Sequence, residues 1–146
     1  MKLLDADILL YAYNSDSPHH EVCRIWLEQV LNGTEPVALP WQTALAFVRI
    51  ATNSRVSSRP LTSEQACSIV DRWLDRPNVT LVGPTEQYWS ILRELLIEAQ
   101  VSGPLVTDAA LAALALEQGA TLCSTDRDFR RFRGLKLIDP LERRTS

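Results

Sequence analysis

The chain has 146 residues, a formal net charge of −3 and a pI of about 5.4. A chain of this length buries enough surface to fold without a disulfide or a structural metal, so we expect a single domain over residues 1–146. The negative charge argues against a protein that coats nucleic acid through many Lys and Arg contacts, but it allows an enzyme that holds a phosphodiester through metal ions.

Strand-like and helical segments alternate along the chain, which is typical of a parallel sheet with helices on both faces. The first strand-like run ends at Asp5, and a further apolar stretch follows it. Ser17 and Pro18 predict the start of a helix that extends to Gly33. The residues predicted for the buried face of this helix are Val22, Ile25, Trp26 and Val30.

The middle of the chain contains one more predicted strand and two helices. Residues 37–39 are a predicted strand, and the helix that follows over about 41–52 has apolar residues on two faces, which indicates burial on more than one side. These faces carry Leu45, Val48 and Thr52 on one and Ala44, Phe47 and Ala51 on the other. Thr62 and Gln65 form a capping-box signature for a helix that ends near Asp75.

The last third of the chain repeats this alternation. A third strand over 79–82 is followed by a helix to Ala99 that we expect Thr85 to cap. A helix from Asp108 to Gln118 ends at Gly119, and short strands are predicted over 121–123 and 136–138.

Carboxylates follow three of the apolar segments. Asp5 follows the first strand, Asp108 follows the apolar residues 104–107, and Asp126 and Asp128 follow residues 120–125. The carboxyl ends of parallel strands share one sheet edge, where ligands usually bind, and carboxylate oxygens suit hard cations. Each carboxylate alone also has an ordinary explanation as a helix-dipole partner or a turn former. Their joint placement favours a metal site.

Three further features set the class of the protein. The chain has an odd number of cysteines, Cys23, Cys67 and Cys123, and their spacing lacks the Cys-x-x-Cys pattern of a zinc site. The apolar run 109–116 is too short to cross a membrane, and acidic residues interrupt the amino terminus in a way unlike a signal peptide. We therefore expect a cytoplasmic protein with no membrane association.

The carboxyl-terminal part of the chain is basic. Seven Arg and Lys residues stand against three acidic residues between Arg127 and Arg144. This segment is either a solvated basic face or a surface that binds phosphate groups beside the acidic cluster.

The acidic segments resemble the motifs of a known family. Residues 3–12, 39–53, 105–115 and 122–129 resemble, in order, the four motifs of PIN-domain nucleases, and residues 139–141 resemble the closing strand. The resemblance covers essentially the whole chain and is closest to the VapC-type ribonuclease toxins of type II toxin–antitoxin pairs.

This resemblance implies a three-layer α/β/α sandwich and an endoribonuclease that depends on Mg²⁺ or Mn²⁺ and cleaves RNA with metal-activated water. It also implies a cognate antitoxin protein that blocks the site. Asp5, Asp108 and Asp126 are the predicted catalytic residues, and Asp128 joins them as a metal ligand. We expect Arg127 and Arg130 to contact the RNA substrate.

One position departs from the family pattern. The second motif usually carries Glu immediately before Phe47, and this chain has Ala46. The site is therefore predicted to have one oxygen ligand fewer, which leaves open one or two metals and allows a non-catalytic module that only binds RNA or a partner. Asp7, which stands where the family often has Asn or Ser, is expected to compensate in part.

A second alternative comes from the sequence Asp5-Ala6-Asp7. It resembles the nucleophile motif of haloacid-dehalogenase-type phosphatases, which need a Lys between their acidic motifs. The lysines here, Lys2 and Lys136, lie outside the acidic motifs.

The aromatic residues predict an interface. The helices that carry Trp41, Phe47, Trp73 and Trp89 contain more large apolar side chains than one small sheet is expected to bury. We expect homodimer contacts and a groove for the antitoxin.

Overall fold

A computed structural model describes residues 1–142, and their centre is a parallel sheet. Its five strands are β1 (Lys2–Leu4), β2 (Val37–Pro40), β3 (Val79–Val82), β4 (Thr121–Cys123) and β5 (Leu137–Ile138). Their order across the sheet is β3-β2-β1-β4-β5. Strands β2 and β3 therefore lie on one side of β1, and β4 and β5 lie on the other side.

The boundary between β1 and β4 is the topological switch point of the sheet. Leu3 pairs with Leu122 and Leu4 with Cys123, so the two strands end side by side. The connections that leave neighbouring strands at a switch point diverge, which opens a crevice at the carboxyl edge of the sheet. Asp5 and Ser124, the first residues after these strands, lie at that crevice.

Helices cover both faces of the sheet. The helices are α1 (Ala6–Tyr13), α2 (His20–Asn32), α3 (Trp41–Ala51), α4 (Ser63–Leu74), α5 (Tyr88–Ala99) and α6 (Leu105–Gln118), and a 3-10 helix spans Arg127–Arg131. Adjacent strand residues point to opposite faces, so Leu4 and Leu39 join a core with α1 to α4, while Leu3 and Ala38 join a core with α5 and α6. The predicted three-layer sandwich is confirmed.

Small side chains bring α6 close to the sheet. Residues 111–115 are Leu, Ala, Ala, Leu and Ala, and all five are buried. The helix begins at Leu105, three residues before the start predicted at Asp108. Pro104 lacks the backbone N–H that a central strand needs, and its fixed φ suits the start of a helix. Asp108 therefore belongs to the first turn of a helix.

Helix α1 begins directly after Asp5 and was not predicted as a helix. Helix α2 begins at His20, later than the predicted Ser17-Pro18 start, although the Ser17 hydroxyl accepts a hydrogen bond from the His19 N–H (3.1 Å). Its buried row differs from the predicted one, because Val22 and Ile25 are exposed. The helix is rotated so that a row one residue further along packs inward, namely Cys23, Leu27 and Leu31.

The remaining boundaries confirm most of the pattern. The capping box of α4 is present, with the Thr62 hydroxyl accepting from the Gln65 N–H (3.1 Å) and the Gln65 side chain accepting from the Thr62 N–H (2.9 Å). Thr85 does not cap α5, which begins at Tyr88 with Gln87 as its N-cap residue. The Thr85 N–H donates to the Glu117 carboxylate (2.9 Å). The predicted closing strand 139–141 is a turn after β5, in which Asp139 accepts from the Leu141 N–H.

Helix α3 is buried on one of its two predicted faces but is exposed at Leu45. Ala44 and Phe47 are buried as predicted, but Leu45 is 66% exposed. Phe47 packs edge-on against Trp73 with ring centroids 4.8 Å apart, and this contact joins α3 to α4.

Over residues 1–142, no helix combines the length and the apolar character needed to cross a membrane. Each of the three cysteines is free.

Candidate active site

The Asp5 carboxylate is fixed at the end of β1. As the N-cap of α1, it accepts a hydrogen bond from the Ala6 N–H through Oδ1 (2.7 Å). Its Oδ2 accepts from the Ser124 hydroxyl (2.7 Å), which comes from the end of β4. Burial raises the pKa of Asp5 from 3.8 to about 7, and the nearby charge of Asp7 adds to the rise against these hydrogen bonds.

Asp7 lies in the first turn of α1 and bridges to the loop after β4. Its Oδ2 accepts hydrogen bonds from the Thr125 N–H (2.9 Å) and the Thr125 hydroxyl, and its Oδ1 accepts from the Ile8 N–H (2.7 Å). Burial raises the pKa of Asp7, and the bonds from Thr125 oppose that rise. Ion pairs within residues 1–142 involve neither Asp7 nor Asp5. These two carboxylates lack a basic partner in the described part of the chain.

The Ser124 hydroxyl connects three of the acidic residues. Its oxygen is 2.7 Å from Asp5 Oδ2 and 3.2 Å from Asp7 Oδ2, and it accepts from the Asp126 N–H (3.0 Å). A serine has one hydroxyl proton, so the shorter bond to Asp5 is its principal donation. Ser124 is itself buried.

A second carboxylate group lies across the crevice. Asp108, Asp126 and Asp128 each place a carboxylate oxygen within 4.8 Å of the others. Asp126 caps the 3-10 helix by accepting from the Asp128 N–H (2.8 Å). Burial raises the pKa of Asp108, and the charges of Asp126 and Asp128 add to the rise. Mutual repulsion of this kind favours the binding of a cation.

One cleft joins the two groups of carboxylates. It has a volume of about 670 Å³, and Asp5, Asp7, Asp108 and Asp126 all line it. Ala46 also lines this cleft, so its side chain faces the acidic residues and not the core. The Gln42 amide donates to the Thr107 carbonyl (3.2 Å) and thereby links the α3 wall to the start of α6.

Comparisons with known proteins identify the family. A family model described as PIN domain matches residues 2–135. The chain is 43% identical over 140 residues to Ribonuclease VapC37 of Mycobacterium tuberculosis, covering 96% of this chain and 97% of that relative. It is 37% identical over 145 residues to Ribonuclease VapC43 of the same organism, with 99% of both covered. The chain belongs to the PIN domain family.

A solved structure supports the PIN fold independently. The crystal structure of VapBC2 from Rickettsia felis, bound to a DNA fragment from their promoter, matches with a TM-score of 0.71 at 21% identity. The match covers 94% of this chain and 97% of that chain. The predicted resemblance to VapC-type PIN domains is confirmed, and it is supported over the haloacid-dehalogenase alternative.

The arginines near the acidic site of this PIN domain differ in whether they form ion pairs. Arg130 pairs with Glu142, and Arg131 lies 3.4 Å from the Asp128 carboxylate. Arg127 forms no ion pair with any residue in 1–142, and it lines a small cavity with Arg130 and Asp126. The predicted basic segment continues to Arg143 and Arg144, which lie outside the described residues.

The donor set of the PIN domain suits a hard divalent ion. The carboxylates of Asp5, Asp7, Asp108 and Asp126 line one cleft beside Arg49. Oxygen ligands of this kind are those that Mg²⁺ and Mn²⁺ prefer. Burial and the charge of Asp7 raise the pKa of Asp5, so its charged form is disfavoured in the protein without a cation. A divalent ion held by these carboxylates would offset that cost.

The sequence reasoning found the acidic residues but not their supports. It missed Ser124 and Thr125, whose hydroxyls hold Asp5 and Asp7. It also missed Arg49, whose side chain lines the cleft. A signal for the hydroxyls was available, since two polar residues at the end of a buried strand are placed where ligands bind.

Proposed function

We propose that this PIN domain protein is the toxin of a toxin–antitoxin pair and an endoribonuclease that depends on Mg²⁺ or Mn²⁺. The observation that carries the proposal is the cleft in which Asp5, Asp108 and Asp126 meet without a basic partner for Asp5. Relatives named Ribonuclease VapC, at up to 43% identity over nearly the whole chain, support the choice of RNA as substrate. The proposed place of action is the cytoplasm.

The aspartates have distinct roles in this proposal. Asp5 and Asp108 hold the principal metal ion, and Asp126 with Asp128 holds a second ion or orients the attacking water. When bound, the metal neutralises charge on the phosphodiester and activates water for attack on phosphorus. Ser124 orients the Asp5 carboxylate through its hydroxyl, and Thr125 orients that of Asp7.

Cleavage of RNA by the purified protein tests the proposal. Total bacterial RNA is incubated with the protein and Mg²⁺, Mn²⁺ or EDTA, and new 5′ ends are mapped. We expect discrete cleavage with either metal, no cleavage in EDTA, and loss of cleavage in Asp108→Asn. The matched control is Asp71→Asn, because Asp71 is exposed on α4. Cleavage that survives EDTA or Asp108→Asn contradicts the assignment.

A non-catalytic module is the second candidate, and the exposure of Ala46 to the cleft favours it. This position carries Glu in the family pattern, and the chain offers no carboxylate there. A protein that binds RNA or its partner with wild-type folding, yet cleaves no RNA with either metal, supports this second function over the first.

We also propose two protein contacts, a homodimer and an antitoxin. Large apolar side chains remain exposed on α3 and α5, with Trp41 at 56%, Leu45 at 66% and Trp89 at 64%. Of the aromatic residues predicted to form an interface, Phe47 and Trp73 are instead buried in the core. Exposed apolar groups of this kind mark interfaces, and the structural relative from Rickettsia felis is a VapBC2 assembly.

Two measurements test these contacts. Light scattering at about tens of micromolar should give a dimer, and Trp89→Lys should shift it to a monomer. Expression of the chain alone should slow growth, and co-expression with the small protein encoded beside it should restore growth. A monomeric and harmless wild-type protein contradicts both contacts.

A further inference from the structure

Arg49 is placed in the cleft with no acidic partner. It lies in the last turn of α3, its side chain is exposed, and it lines the same cleft as Asp5 and Asp108. Among residues 1–142 it is the one basic residue that lines this cleft, and no ion pair there includes it. Arg49 therefore brings a positive charge from α3 to the cleft that the carboxylates line.

The rest of that wall indicates what the cleft accommodates. Leu10, Leu45, Ala46 and Ile50 make the α1 and α3 sides of the cleft mainly apolar. The volume of about 670 Å³ is that of a small-ligand pocket, too small to admit a duplex but sufficient for an unstacked nucleotide. Proteins read RNA mostly where bases are unpaired, because those bases can leave the stack and enter a pocket.

We propose that Arg49 binds a backbone phosphate of single-stranded RNA beside the scissile bond, while the apolar wall receives the adjoining base. This inference rests on the proposed ribonuclease function and names the form of its substrate. Arg49 is a substrate-binding residue, and its planar guanidinium suits two parallel hydrogen bonds to a phosphate. Arg127, on the other side of Asp126, extends the same path for the strand.

The test measures RNA binding as well as cleavage. A short fluorescent single-stranded RNA is titrated with the protein in Ca²⁺, and anisotropy is followed over a range of salt concentrations. Arg49→Gln should weaken binding about 10- to 100-fold, the usual effect of losing charge-assisted hydrogen bonds. The slope of log affinity against log salt should fall by about 0.7, the value for one phosphate contact on a single strand.

Two further variants make the test specific. Arg49→Lys keeps the charge but loses the planar fork, so it should keep the salt slope while binding more weakly than wild type. Arg55→Gln removes the same charge from the exposed loop after α3, outside the cleft, and should behave as wild type. A matching RNA duplex should compete poorly with the single strand.

The outcomes separate this inference from the proposed function. If wild type cleaves RNA and Arg49→Gln binds as tightly as Arg55→Gln, the role of Arg49 is refuted and the ribonuclease stands. If wild type binds but cleaves nothing, the ribonuclease fails, and a weaker Arg49→Gln still supports the phosphate contact. If Arg49→Gln changes only the melting temperature, or only the inhibition by the antitoxin, the proposed phosphate contact is refuted.

Discussion

Asp5 should make the metal-free protein less stable at neutral pH than a variant without its charge. Burial and the charge of Asp7 raise the pKa of Asp5 from 3.8 to about 7 in the folded protein. Between these values the unfolded chain has lost the Asp5 proton and the folded protein retains it, so the contribution of this group to stability falls as pH rises. The loss is complete above about pH 7.

The size of the effect follows from the two pKa values. Each pH unit between 3.8 and about 7 lowers the free energy of unfolding by about 1.4 kcal/mol. The largest loss of stability from Asp5 is therefore about 4 kcal/mol. Asp5→Asn does not titrate and keeps an oxygen for the Ala6 N–H. The variant should match wild type near pH 4 and exceed it by about 2–4 kcal/mol near pH 8.

The assay is chemical denaturation in EDTA at a series of pH values, followed by fluorescence. Taking the difference between Asp5→Asn and wild type removes the titration of the groups that do not interact with Asp5, and leaves that of Asp5 together with its neighbour Asp7. Asp71→Asn serves as the exposed control. Added Mg²⁺ should stabilise wild type but not Asp5→Asn, because a ligand stabilises only the state that binds it. A difference that does not change with pH, or equal stabilisation of both proteins by Mg²⁺, refutes the reasoning.

Three other variants give independent checks. Ala46→Glu should raise Mg²⁺ affinity in calorimetry, since residue 46 lines the acidic cleft, whereas Leu45→Glu on the exposed face should not. Ser124→Ala should weaken Mg²⁺ binding about 10- to 100-fold through loss of its bond to Asp5, and Ser124→Thr should restore part of it. Thr62→Ala should lower the free energy of unfolding by about 1 kcal/mol and leave Mg²⁺ affinity unchanged, because it removes only the α4 cap.

Much of the fold was predictable because buried parallel strands are short apolar runs. Residues 79–82 and 121–123 were located correctly, since turn residues bound each run. Helix α1 was missed because Asp5 ends a strand and caps a helix at once, which leaves no polar break between the two elements. The start of α6 was predicted at Asp108 and lies at Leu105, because the few apolar residues before Asp108 are too short a run to show a helical periodicity.

That the acidic residues meet at one sheet edge was predictable, whereas the side chains that contact them were not. Sequence gives the type of side chain that follows a strand, and the resemblance to PIN domains selected Asp5, Asp108 and Asp126. It cannot show that the hydroxyl of Ser124 reaches a carboxylate 119 positions away, because this contact depends on β1 and β4 being neighbours. It also cannot show that Arg49 faces the cleft, which depends on the rotation of α3.

The charge distribution reconciles an acidic protein with an anionic substrate. The aspartates at positions 5, 7, 108, 126 and 128 outnumber the net negative charge of −3, so the remainder of the chain is net positive. In the proposed function, repulsion of RNA would be concentrated at the sheet edge, where a bound divalent ion would reverse it, while Arg49 and Arg127 would attract phosphate. Metal binding would then control substrate binding as well as chemistry, and a basic side chain of the proposed antitoxin would occupy the same acidic centre in place of the metal.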